Sequence, residues 1–474
     1  MNEIQNLTER IIDRVNINLR EHHFDVGPYV RGIVSPEKYM KFYAFYGLTS
    51  RHPVSLSFKN SALAGSYFLG KCQVDFSIVY KTDVRGDELK QKGDVFKFRG
   101  FEIPLHDDER IRIQDSIMHK TLVHNFSHDP ESPEEFFIVS SVSLHYANIH
   151  GAPVEGSFFG PFATVDLTTV HDSVVGAYSY VQTGELMHKR IEPGQVWIAS
   201  KEDGFDFRYS YSPDVLARYV KVNEGADPSG IFMDFINERK NDFEGAFALA
   251  PYDYNQDVPR GASVSNYSVL LGRTSLSENV LVAQRCYLLD AQMGVGANAQ
   301  ENCFVINSKL AGYNVTAHGG KIINADMDRQ CFVGFNSFLR GLEQQPLKVG
   351  PGCIVMPHTI IDLREPLEIP GGQVVWGHIR DKRDLETNSM SIENLAKIQG
   401  EISMGGMRFQ GAGGVLVEAF KHRIEHILEA NGAFYDGDNN RGHAQDHERV
   451  SFNILQPYRD GARAGIYPTT IIQP

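Results

Sequence analysis

The feature that most restricts this chain is a short glycine-marked period. From about residue 54, Leu63-Ala64-Gly65 is followed six residues later by Leu69-Gly70, Phe159-Gly160 by Val165, and Val175-Gly176 by Val181. The fifth position of these units is often small, as at Ala163, Thr169 and Ser179. An aliphatic residue at every sixth position, with glycine after it and a small residue between, marks a hexapeptide β-solenoid. Each coil is a triangle whose sides are short strands. One residue per side points into a narrow shared core, and the corners favour residues that tolerate the left-handed backbone region. One coil buries too little to fold alone, so stacking is obligatory.

The period stops at Ile191-Glu192-Pro193-Gly194-Gln195-Val196-Trp197-Ile198 and restarts further on. Leu281, Tyr287, Met293, Ala299, Val305, Ala311, Ala317 and Ile323 lie six apart and are all uncharged. After an interruption near 327–346, Val349, Val355, Ile361 and Leu367 resume it, and Ile369-Pro370-Gly371-Gly372-Gln373-Val374-Val375-Trp376-Gly377 closes it. Two closing elements imply two solenoids. The expected division is an N-terminal helical segment at 1–53, a first solenoid at 54–204, a partly helical linker at 205–260, a second solenoid at 261–380 and a C-terminal helix and arm at 381–474. Ile4, Leu7, Ile11, Val15 and Leu19 give residues 3–20 a helical stripe that suits the chain's own rod or a neighbouring copy equally. Leu416, Phe420, Ile424 and Ile427 do the same for a helix at 414–430. The linker is expected to be helical near 231–240 and irregular near 251–259. Residues 431–474, polar and glycine-rich, are expected to lie as an arm on a neighbour.

At 474 residues the chain exceeds one ordinary core. Its net charge of −13 argues against a nucleic-acid scaffold and admits a small neutral or cationic ligand. The beginning of the chain lacks the basic and apolar regions of a leader. No apolar run is long enough to span a membrane. The five cysteines, Cys72, Cys286, Cys303, Cys331 and Cys353, are scattered and odd in number, which fits buried thiols in a reducing cytoplasm. Cys303 and Cys353 sit in small-residue slots.

Candidate chemistry centres on Ser143-Leu144-His145-Tyr146-Ala147-Asn148-Ile149-His150-Gly151. Zinc catalysis needs three neutral imidazoles and an open position for water. A five-residue interval is nearly one side of a coil, which sets His145 and His150 near adjacent corners, suited to a groove between neighbouring solenoids. His119 or His124 would complete the set. Metal-bound water would then ionise near pH 7, with Gln114 or Glu88 to orient it or take its proton. The plain alternatives are chance spacing among 18 histidines and a solvated Arg85–Asp87 pair.

Segment 60–200 resembles the γ-class carbonic anhydrases. Arg85-Gly86-Asp87-Glu88, Gln114-Asp115, His145 to His150-Gly151 and Pro193-Gly194-Gln195-Val196 stand in that family's order. The repeats and helical stripes make the fold mainly β, two solenoids in tandem with N- and C-terminal helices, and the resemblance implies that they are left-handed parallel β-helices. It implies a homotrimer with zinc, or iron, at subunit interfaces: His150 and an upstream histidine from one subunit, His145 from the next. It further implies an Arg85–Asp87 ion pair across the interface, a Gln114 contact to metal-bound water, Glu88 in proton handling, and hydration of CO2 or another small carbonyl electrophile. Two departures stand out. Ser116 and Arg112 replace the family's glycine and asparagine. Gln114 is five residues from His119 and ten from His124, where the family has six, so His119 is the first choice and His124 the second. A charged insert separates Glu88 from Ile113, and a loop at 128–137 falls where the family carries one.

The second solenoid resembles hexapeptide acyltransferases more generally. His318, in Val315-Thr316-Ala317-His318-Gly319-Gly320, is placed for a general base acting on an acceptor of an acyl group from acyl-CoA, or is simply a surface histidine beside two glycines. His171 and His188 are corner candidates without nameable partners. Trp197 and Trp376 are expected to cover the ends of the two cores. A non-catalytic trimeric scaffold is the third reading; all three exclude nucleic acid and membrane as partners, and the first two take a small-molecule substrate.

Overall fold

The computed structural model describes residues 2–39, 41, 44–49, 52–98, 100–126, 135–247, 258–447, 450–455, 466 and 469–472. The chain divides into two compact units, one of residues 1–194, 214–233 and 450–474, the other of residues 195–213 and 234–449. Each holds one left-handed parallel β-helix. Among the described residues no helix is long and apolar enough to cross a membrane.

In the first unit the chain turns through three parallel sheets, one strand of each per coil. Face one stacks Ser66–Leu69, Asp83–Glu88, Leu122–Phe126, Asn148–His150, Thr164–Asp166 and Tyr180–Gln182. Face two stacks Ile78–Tyr80, Ile117–His119, Val142–Ser143, Phe158–Phe159, Val174–Val175 and Arg190–Ile191. Face three runs from Leu56–Lys59 to Gly184–Met187.

The coil is not three hexads. Val142 stands over Phe158 and Phe158 over Val174, an interval of sixteen residues. The inward residues Val154, Phe159, Val165, Val170, Val175 and Val181 are all fully buried, yet each coil has two intervals of five and one of six. The second rod repeats at seventeen: Asn298 over Val315 and Val315 over Phe332. The strict sixfold register therefore slips. Met293, Ala299 and Val305 point into the core as expected, but the core residues beside them are Val282, Leu288, Leu310 and Ile322 rather than Leu281, Tyr287, Ala311 and Ile323. Five-residue sides close on a single left-handed residue, such as Asp290, Asn307 and Asn324, at φ 49°, 47° and 50°. Asn and Asp tolerate that conformation.

Two corner expectations also change. Gly160 and Gly176 are not left-handed; a Cβ on Gly176 would lie 2.5 Å from the backbone nitrogen of Pro193 one coil on. Glycine is there for close approach. The left-handed positions of that corner are Tyr146, Phe162 and Tyr178, at φ 60°, 59° and 54°. Tyr146 stacks on Phe162 at 5.3 Å, and Phe232, from segment 214–233, packs on Phe162 and Tyr178.

The N-terminal helix, Asn2–Asn18, packs on its own rod. Ile4, Leu7, Ile11, Val15 and Leu19 join Ile78, Ile117, Val142, Phe158 and Val174 of face two in one core. Ile11→Ala is expected to cost about 2–5 kcal/mol through the cavity it leaves, read as a lowered unfolding midpoint of the first unit. Residues 1–53 are not wholly helical, because Ala44–Leu48 adds a strand to face one. The C-terminal arm also folds back on its own chain: Ser451–Leu455 pairs with Ala44–Leu48 and Thr470–Ile472 with Leu56–Lys59, both antiparallel. These strands cover exposed sheet edges.

In the second unit, strands Gln195–Ser200, Phe205–Ser210, Met407–Ala412 and Gln399–Met404 form an antiparallel sheet. Residues 205–210 are thus part of a sheet, not of a linker. Helix Gly413–Ala430 buries Leu416, Phe420 and Leu428. Trp376 is buried against Phe207, whereas Trp197 is half-buried, with the Arg208 guanidinium 4.2 Å from its ring. All five cysteines are buried and unbridged.

Candidate functional site

Face one of the first rod carries a polar column. Arg85, His124, His150 and Asp166 are register partners on four successive coils. Arg85 donates to both carboxylate oxygens of Asp87, at 3.1 and 2.6 Å, and both side chains are buried. The ion pair that the resemblance places across a subunit interface closes within the chain. His124 Nε2 lies 3.1 Å from Glu88 Oε1, and burial holds the His124 imidazole down to about 4. His150 Nδ1 lies 2.8 Å from Asp166 Oδ1, and the Tyr180 hydroxyl donates to the other oxygen of Asp166. The rings of His124 and His150 are 5.0 Å apart, edge to face.

Gln114 is not in this column. It ends strand Ile111–Gln114 on face three, and its amide donates to Asp115 at 3.1 Å. Asp115 in turn pairs with Arg10 of the N-terminal helix. The insert between Glu88 and Ile113 is a hairpin, Val95–Phe98 with Phe101–Pro104. Of the loop at 128–137, residues 128–134 lie outside the described residues.

His119 and His145 form a second group, where face two turns toward face one. Their Nε2 atoms are 3.0 Å apart, and His145 Nε2 is 2.9 Å from Asp227 Oδ1. Both rings are buried; Tyr80 stacks on His119 at 5.2 Å. Burial keeps both imidazoles neutral, His145 down to about 4 and His119 well below its ordinary range. The hydrogen bond from His145 holds Asp227 down to about 2. Asp227 sits on a tight loop closed by a two-way backbone bridge between Lys221 and Ser229. Asn223 donates to the Asp227 carbonyl, and Gly225 N–H to the carbonyl of Pro28.

The resemblance takes His150 and an upstream histidine from one subunit and His145 from the next; within this chain the upstream histidine beside His150 is His124, the second choice, not His119. His119 and His145 group with Asp227, and His150 groups with His124. The reason is the coil: His119 ends a face-two strand and His145 follows one, while His150 ends a face-one strand.

The second rod presents His318 just before Gly319, whose φ of 73° turns the corner. His318 is buried, not on the surface. Its Nδ1 lies 2.8 Å from Glu301 Oε2, close enough for an ion pair but not aligned as a hydrogen bond. Lys321, buried and pushed down to about 8, donates to the Gly319 carbonyl at 2.7 Å. His171 is half-buried 3.6 Å from Glu155, and His188 is exposed 3.9 Å from Glu21.

Three carboxylates escaped the sequence reading. Asp166 follows His150 by sixteen residues, and Glu301 precedes His318 by seventeen. Each is one true coil away, so a correct coil length would have found them. Asp227 carried no signal.

These geometries define a class: a tandem hexapeptide β-helix with histidine–carboxylate pairs set on its coils. The family described as hexapeptide repeat including loop matches residues 101–224. A crystal structure of a proposed acetyltransferase from Desulfovibrio desulfuricans G20 is 56% identical, with a TM-score of 0.92, covering 100% of this chain and 99% of that one. No curated protein matches the sequence. The chain belongs to the hexapeptide-repeat transferase superfamily.

Proposed function

We propose that this protein is an acyltransferase that moves an acyl group from a thioester, such as acyl-CoA, to a hydroxyl or amine of a small acceptor. The observation that carries it is the buried approach of Glu301 to His318 Nδ1 at 2.8 Å. A carboxylate there favours the proton on Nδ1 and leaves the lone pair on Nε2. That nitrogen takes the acceptor's proton while the acceptor's electron pair attacks the thioester carbonyl carbon. The carbon–sulfur bond then breaks, and the thiolate takes the proton back from His318. Before substrate binds, such catalytic contacts are often poorly aligned. The similarity to a proposed acetyltransferase supports the reaction class. Calorimetry with acetyl-CoA, together with release of free thiol in the presence of hydroxyl and amine acceptors, tests the proposal. Absence of acyl-CoA binding at millimolar concentration would remove it.

A second reading, metal-dependent hydration of CO2, draws on the column of Arg85, Glu88, His124 and His150. Its support is the carboxylate behind each imidazole, an arrangement that orients metal-binding histidines. Hydration assays on wild type and His150→Ala test it; equal rates would end it.

A further inference from the structure

The group at His119, His145 and Asp227 is not satisfied by protons alone. A neutral imidazole carries one proton on two nitrogens. Suppose His145 gives its Nε2 proton to Asp227. His119 must then turn a lone pair toward the same proton, so one proton serves two acceptors. Suppose instead that His119 donates. The lone pair of His145 then faces the Asp227 carboxylate at 2.9 Å, acceptor against acceptor. A cation between the three groups removes the contest for one proton at that point, because both Nε2 atoms and Oδ1 then offer lone pairs to a single charge.

We propose that His119, His145 and Asp227 form a site for one divalent transition-metal ion of the zinc type, built wholly within the first unit. The three ligand atoms lie within 4.8 Å of one another. Tetrahedral zinc with two imidazole ligands sets the ligand atoms about 3.3 Å apart. The observed 3.0 and 2.9 Å need adjustments of only a few tenths of an ångström. Lys120 lies 3.9 Å from Oδ2 of Asp227, the oxygen that does not face His145. Asp227 is half-exposed, so the remaining position on the ion opens toward water. An ion here would also clasp the loop of Asp227 onto two coils of the rod. The assignment differs from the one the resemblance implies, because Asp227 replaces His150, and it is independent of acyl transfer by the second unit.

The test uses the full chain, stripped with chelator and dialysed, and titrated with Zn2+ and separately with Co2+. One equivalent is expected to bind at micromolar concentration or tighter, to raise the thermal midpoint, and with Co2+ to give the visible absorption of a four-coordinate ion. Asp227→Asn keeps the size and a hydrogen bond to His145, so it should fold; it is expected to weaken binding by about tenfold or more. His145→Gln should do the same. Absence of binding by the wild type, or unchanged affinity in Asp227→Asn, overturns the proposal. So does loss of the ion in His150→Gln while Asp227→Asn retains it.

Discussion

His318→Ala is expected to lower acyl transfer by about 10²–10⁴-fold, the usual contribution of a positioned general base. The thioester should still bind, because proton transfer from the acceptor is the step removed. Glu301→Gln is expected to cause a smaller loss, concentrated in kcat. It keeps the shape but removes the charge that favours the Nδ1 proton and steadies the imidazolium formed during transfer. Steady-state kinetics on the two variants, alongside acyl-CoA binding, separate these roles. Equal activity in His318→Ala and wild type would show that the base lies elsewhere. Both side chains are buried, so each variant needs a circular-dichroism control for its fold.

Asp87→Ala is expected to destabilise the first unit by about 3–5 kcal/mol, the scale seen when one partner of a buried ion pair is removed. Arg85 and Asp87 side chains are only 5% and 3% exposed, and the guanidinium meets the carboxylate through two hydrogen bonds. Deleting the carboxylate takes away the acceptor of both bonds and leaves the cation in a low-dielectric setting. Replacing both residues together, as Arg85→Met with Asp87→Leu, should recover most of the loss, since neither charge then has to be desolvated. Urea unfolding followed by a probe in the first unit reads both effects. A loss below about 1 kcal/mol in Asp87→Ala would place the pair among solvent-screened contacts instead.

Much of the architecture was legible in the one-dimensional pattern. Aliphatic residues beside glycine, and two closing elements, Pro193-Gly194-Gln195-Val196 and Pro370-Gly371-Gly372-Gln373-Val374, are enough to imply two solenoids, because a triangular coil has room for one inward side chain per side. The stripe from Ile4 to Leu19 announced a helix, and its burial against Ile117, Val142 and Phe158 decided that it serves its own rod. The coil length was not legible. A period of six describes only the longer sides: a sixteen-residue coil of the first rod holds two sides of five, a seventeen-residue coil of the second holds one, and each such side shifts the count by one. That slip moved Leu281 and Tyr287 out of the core and hid the carboxylates Asp166 and Glu301, each one coil from its histidine.

The histidines show the same division. Their presence, their order and their neighbourhood to glycine belong to the sequence, and so does membership of a fold that can align them. Which histidine meets which is decided by the winding. His124 and His150 share a face and a register, so their rings meet edge to face; His119 and His145 meet where face two ends. Asp227, more than eighty residues beyond His145 in the chain, reaches them only because segment 214–233 packs Phe232 against Phe162 and Tyr178. Local pattern encodes which residues point inward, since that depends on neighbours a few bonds away. Convergence of distant side chains depends on the summed length of every side between them, and only the folded coil fixes that sum.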